Sequence, residues 1–187
     1  MAKIKTFSTE QVDKQKIKEL QERIDGNGTM IEDISNNLVQ GYCQQLDNYI
    51  AFIKDILADE QNPPTDKELD DFVLNIPVLL YFAGEGQESL GIREDVAKAI
   101  RQELYNQAFD NATGTVADKT ALAELATQNE TITHIAYTRA YKKIKGKCEM
   151  ANEVLQSVKK IITRRIAEYE VTRVSAERVG GVQWQQS

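Results

Sequence analysis

The chain is poor in helix breakers and in the residues of redox and metal chemistry. Its 187 residues include 3 prolines, 10 glycines, 2 cysteines and 1 histidine. So few breakers, gathered at a few places, favour long helices. One histidine, His134, excludes a histidine-based metal cluster, and its place beside Ile135 on a helical face marks it as structural. Cys43 and Cys148 lie far apart with no CxxC spacing, as expected of buried free thiols in a reducing cytosol. There is no Walker loop and no GxSxG motif. Gly84-Glu-Gly86 follows no strand pattern and reads as a turn. The adjacent acids Asp59-Glu60 and Asp70-Asp71 sit near helix ends, and Asp66 and Glu68 suit a first helical turn. No catalytic, cofactor or metal site is expected. The longest apolar run, Phe72 to Ala83, contains Asn75 and Pro77 and falls short of the roughly 18 residues of a membrane span. No apolar leader opens the chain, so a cytoplasmic protein is expected, in a host cytoplasm if phage-encoded.

What is present is charge, unevenly placed. Charged residues make up 28% of the chain and hydrophobic ones 41%, enough for a core, while 7% aromatics implies a thin aliphatic one. Residues 1–84 hold 8 Lys+Arg against 15 Asp+Glu, and residues 85–130 hold 4 against 9. Residues 131–187 reverse this, with 11 against 5. The net charge of −6 therefore conceals a basic C-terminal field. Screening confines each charge to about 8–10 Å, so that field acts locally.

Helix signals recur along the chain. Ser8 with Gln11 forms a capping box and Phe7 with Val12 a hydrophobic staple, followed by Val12, Ile17, Leu20 and Ile24. Asp25-Gly-Asn-Gly28 predicts a turn, and Thr29 with Glu32 predicts a new start. Ile31, Ile34, Leu38, Tyr42, Leu46, Tyr49, Ile53 and Ile56 then line one face up to Asn62-Pro-Pro64. Thr65 with Glu68 caps a helix carrying Leu69, Phe72, Val73, Ile76, Leu79 and Leu80, with a kink at Pro77 and a stop at Gly84–Gly86. A further helix, from about Glu88 or Gly91 to Asn111, has Ile92, Val96, Ile100, Leu104 and Ala108 every four residues. Gly114 breaks it, and Thr115 with Asp118 restarts it.

From Val116 to about Ser175 there is no proline and one glycine, Gly146. A straight helix of that length would span on the order of 90 Å, so it either bends near Gln128–Thr131 and Gly146 or pairs with copies of itself. Tyr137, Tyr141, Ile144, Cys148, Ala151, Leu155, Val158 and Ile162 step alternately by four and three, an a/d seam. Val154 and Ile161 widen it. The expected fold is all-α: an elongated helical bundle whose long C-terminal helix packs in coiled-coil fashion in a homo-oligomer. The division expected is an acidic helical region 1–84, a helical domain 85–175 and a flexible tail 176–187 bearing Trp184.

The basic field concentrates in Arg139, Lys142, Lys143, Lys145, Lys147, Lys159, Lys160, Arg164 and Arg165, opposed only by Glu149 and Glu153. At 100° per residue, Arg139, Lys142, Lys160 and Arg164 fall opposite the apolar seam. Such a helix can bind its copies on one side and a polyanion on the other. It can equally neutralise acidic helices of its own chain or a neighbour. Tyr137, Tyr141 and Tyr169 could stack on bases, though their seam-like positions suit a core.

The stretch from Arg93 to about Val171 resembles the UvsY-type recombination mediators of tailed phages. A helix with Arg93, Lys98, Arg101 and Tyr105 ends at Gly114. A restart follows at Thr115-Val-Ala-Asp-Lys119. Next comes a long helix with Ala140-Tyr-Lys-Lys-Ile-Lys145, Glu153-Val-Leu-Gln-Ser-Val-Lys-Lys-Ile161 and Arg164-Arg165. The resemblance covers under half of the chain and implies a ring-forming helical protein that is not an enzyme. It would bind single-stranded DNA and load a RecA-like recombinase onto DNA coated by single-strand-binding protein. It also implies DNA contacts at Lys98 and Arg101, although Glu94, Asp95 and Glu103 leave that helix without net positive charge. The acidic N-terminal region has no counterpart in the resemblance and suits a protein-facing role. The alternative is a helical assembly protein of a virion or scaffold that binds no DNA; a small enzyme with a carboxylate metal site stands last.

Overall fold

The computed structural model describes residues 14–182. They form four helices, α1 (Lys14–Ala58), α2 (Asp66–Asn111), α3 (Val116–Ala126) and α4 (Gln128–Val182), and no strand occurs among them. The protein is an all-α helical bundle. The cap at Ser8, the staple at Phe7 and Trp184 lie outside the described residues.

Capping chemistry sets the helix starts. The Thr65 N–H donates to Glu68 Oε2 at 2.7 Å, and the Glu68 N–H donates back to Thr65 Oγ1 at 3.2 Å. Thr115 and Asp118 repeat the exchange at the start of α3. Gly114, at φ +119°, supplies the left-handed turn between α2 and α3, a conformation costly for other residues.

Two expected breaks are absent. The helix α1 runs through Gly26 and Gly28, and Thr29, instead of capping a new helix, donates its hydroxyl to the Asp25 carbonyl. No glycine there takes a positive φ, so nothing forces a turn. Likewise α2 continues through Pro77 and Gly84–Gly86 to Asn111. Buried Leu69, Phe72, Ile76, Ala83 and Leu90 hold this helix across the hydrogen bond that Pro77 cannot donate. Gly86 has a packing role: a Cβ there would lie 2.5 Å from Tyr42 Cδ1 and 2.7 Å from Tyr42 Cβ. The long element from Val116, expected either to bend near Gln128–Thr131 and Gly146 or to run straight, is interrupted at Thr127. Its φ of −107° and ψ of 19° leave the helix, and its hydroxyl donates to the Ala123 carbonyl at 3.0 Å. Gly146 lies within α4, which also includes residues 176–182, expected in the tail.

The chain divides into two compact units that do not follow sequence order. One comprises residues up to Asn37 with Glu94–Arg139, the other Leu38–Arg93 with Ala140 onward. In the first, Ser35, Ala123, Thr127 and Ala136 are buried, and the Ser35 hydroxyl reaches the Ala136 carbonyl at 3.3 Å. In the second, α1 gives Val39, Cys43, Leu46 and Ile53 to the core, α2 gives Leu69, Phe72, Ile76, Ala83 and Leu90, and α4 gives Ala140, Ile144, Ala151, Leu155 and Val158. Each large side chain buried contributes about 1.5–3 kcal/mol. Tyr49 and Phe52 meet Phe72 edge-on, with ring centroids 6.3 Å apart.

The a/d seam is a buried stripe, but its partners lie in the same chain. Ile144, Ala151, Leu155 and Val158 are buried, and Tyr141, Cys148 and Ile162 are partly buried, within a single copy. Tyr141 lies against Gly91 of α2. Of the seven residues expected in an oligomer seam, four are therefore enclosed by their own chain, while Tyr141, Cys148 and Ile162 keep part of their surface.

Candidate nucleic-acid interface

The buried face of α4 fixes its opposite face. Within the second unit, Lys142, Lys160 and Arg164 are exposed on the side away from Ile144, Leu155 and Val158, as helical spacing requires. Lys159, Lys143 and Lys145 are also exposed. Lys142 and Lys160 are separated by 18 residues, about 27 Å of helix.

Part of this charge is spent inside the chain. Lys147 donates to both carboxylate oxygens of Asp47 on α1, at 2.6 and 2.7 Å. Arg165 donates to Asp66 at the start of α2 at 2.8 Å. Two of the nine cations thus neutralise acidic helices. These partly exposed pairs contribute at most about 1 kcal/mol each. Two more pair along α4 itself, Arg164 with Glu168 at 2.8 Å and Lys145 with Glu149 at 4.0 Å. Lys142, Lys159 and Lys160 form no ion pair among the described residues.

In the first unit, Arg139 and Lys98 are exposed. Arg101 is partly buried, its Nε donating to Thr131 Oγ1 at 2.8 Å. It lines a cavity of about 360 Å³ together with Arg23, Asn27, Glu124 and Thr127. Arg23, whose Nη2 donates to Gln128 Oε1 at 2.9 Å, is a cation that the sequence did not bring forward. It lies in an acidic stretch, 78 residues from Arg101, and only tertiary folding joins them. His134 Nε2 lies 3.9 Å from Glu94 Oε1, and the Thr138 hydroxyl donates to the same oxygen at 2.7 Å. This is a packing contact between helices.

Burial pushes the Cys43 thiol up to about 11, with smaller contributions from Cys148 and Asp47, and burial also raises Cys148. Both thiols are free. Among the described residues no group of three or more His, Cys, Asp or Glu side chains could hold a metal ion. Among the described residues, no helix is long and apolar enough to cross a membrane.

Comparison of the chain with family models, curated proteins and solved structures finds no match.

Proposed function

We propose that the chain binds the phosphate backbone of single-stranded DNA through the exposed face of α4, as a recombination mediator of the phage type would. The observation that carries this is the pair Lys142 and Lys160, exposed with no ion pair among the described residues on the face of α4 away from its buried side, with Lys159 exposed at the edge of the buried side. A cation with no ion pair among the described residues is available to a phosphate, and a rigid helix loses little entropy in presenting several at once. Arg164 and Lys145, paired only along the helix surface, exchange their partners readily. Loading of a RecA-like recombinase onto DNA coated by single-strand-binding protein belongs to the same proposal and rests on the pattern of residues 93–171.

The test is fluorescence anisotropy with a labelled single-stranded oligonucleotide across a salt series. Three or four neutralised phosphates give a slope of about −2 to −3 in log K against log salt, or 20–50-fold weaker binding between 50 and 200 mM. Lys142→Glu with Lys160→Glu should remove most of the binding, whereas Lys147→Ala, whose charge Asp47 already neutralises, should change little. Absence of binding at low salt refutes the proposal. The competing assembly role is favoured by the exposed apolar side chains of α2, and it predicts no oligonucleotide binding at any salt.

A further inference from the structure

Two guanidiniums share one cavity of the first unit without an acidic partner. Arg23 of α1 and Arg101 of α2 both line the space of about 360 Å³ beside Thr127. Neither forms an ion pair among the described residues. Each engages one N–H with a neutral acceptor, Arg23 with Gln128 Oε1 and Arg101 with Thr131 Oγ1. Like charges gathered in one concave space repel each other, and an anion entering it relieves both at once.

Arg101 is held ready for such an anion. The Thr131 hydroxyl that accepts from its Nε donates in turn to the Thr127 carbonyl at 2.8 Å. Thr127 is buried, where the chain passes from α3 to α4, and Arg101 is itself partly buried. With Nε anchored, the paired Nη groups are the edge left for a bidentate acceptor. A guanidinium fixed before its ligand arrives loses little freedom on binding it.

The lining selects among anions. A carboxylate has two oxygens and satisfies one guanidinium fork, whereas a phosphate monoester offers three terminal oxygens and can engage two forks together. Glu124 also lines the cavity, so its two arginines leave one positive charge in excess, suited to a group of about −1.5 to −2 at pH 7. Ile132 adds an apolar wall and Asn27 an amide. The volume lies at the low end of the roughly 300–1,000 Å³ of small-molecule sites, room for a phosphate and a small organic group. We propose that this cavity binds a phosphate monoester, with its terminal oxygens on Arg23 and Arg101 and its organic group against Ile132. A phosphodiester within a strand has two free oxygens and must leave the cavity in both directions, so it fits less well. The site does not rest on what α4 binds.

Isothermal titration calorimetry of the full chain with phenyl phosphate at low salt tests this. Phenyl phosphate should bind about threefold or more tighter than inorganic phosphate, which lacks the ring, and benzyl alcohol, which lacks the phosphate, should not bind. Arg23→Gln and Arg101→Gln should each weaken binding by about tenfold or more. Arg23 is exposed, so circular dichroism of Arg23→Gln should show unchanged helix content. Glu124→Gln should tighten binding about threefold by removing the negative charge, a gain that damage to the fold does not produce. Lys142→Glu with Lys160→Glu should leave the affinity unchanged. No heat at 10 mM phenyl phosphate overturns the proposal, and so does an unchanged affinity in Arg23→Gln or equal binding of benzyl alcohol. Equal affinity for inorganic phosphate overturns the ester. Displacement of phenyl phosphate by an oligonucleotide that carries only phosphodiesters makes the cavity part of a strand path and overturns the small-molecule site.

Discussion

Replacing Gly26 and Gly28 by alanine distinguishes a continuous α1 from the turn that Asp25-Gly-Asn-Gly28 suggests. Both glycines lie inside α1, a Cβ at either meets nothing within 4 Å, and neither has a positive φ. Only the intrinsic cost of glycine in a helix remains, about 0.8–1 kcal/mol relative to alanine at each site. The side chains of residues 21–30 are exposed, so this segment opens locally without unfolding the cores. The gain should therefore appear in local rather than global stability. Each substitution should slow amide hydrogen exchange in the segment about fivefold, and the pair on the order of 25-fold, with a smaller effect on Tm. Exchange followed by mass spectrometry on peptides covering residues 18–30 measures this directly. If Asn27-Gly28 formed a tight turn with a left-handed residue, alanine would be strained and exchange would quicken. Faster exchange in either variant refutes the continuous helix.

Gly86→Ala should act in the opposite direction. The new methyl meets the stem of Tyr42, which ring rotation cannot move, so overpacking outweighs helix propensity by about 2 kcal/mol, or roughly 4–8 °C in Tm. Gly84→Ala, with open space around it, should raise Tm; equal effects at the two sites would refute the close approach of α1 and α2. Glu68 and Asp118 titrate below their ordinary values because Thr65 and Thr115 donate hydrogen bonds to their carboxylates. A depressed folded value means that these caps stabilise fully above the ordinary carboxyl range and lose their effect as pH falls through it. Exchange at the first turns of α2 and α3 should accelerate below about pH 4 beyond the intrinsic pH effect, and a flat profile would refute the caps. Cys43, its thiol held at about 11, should alkylate at pH 8 at least 100-fold more slowly than a free cysteine, and rapid labelling would place it outside the core.

What the sequence showed depended on whether the physics was local. The capping pairs at Thr65 and Thr115 involve residues three apart, and the left-handed Gly114 needs no distant partner, so each was legible. Glycine alone was a poor guide. It permits a turn but does not demand one, and at Gly86 its use is to admit Tyr42, a contact across 44 residues that no local pattern shows. The heptad spacing of α4 correctly marked a buried stripe, because periodicity reports which side is apolar. It could not report whether the covering helices belong to the same chain or to another. The regular set Ile92, Val96 and Ile100 gave a signal of the same kind and proved exposed. The basic face was legible in the same partial way. Spacing put Lys142 and Lys160 away from the seam, but the capture of Lys147 by Asp47 and of Arg165 by Asp66 depended on folding across about 100 residues.

These two outcomes on α4 are connected. A helix whose apolar stripe were reserved for other copies would hold its cations in place only after assembly, and DNA binding would then depend on protein concentration twice over. With Ile144, Ala151, Leu155 and Val158 enclosed by α1 and α2, the opposite face is already rigid in one chain. The ion pairs at Lys147 and Arg165 fasten the flanks of the same helix, and Lys142 and Lys160 on its outer face form no ion pair among the described residues.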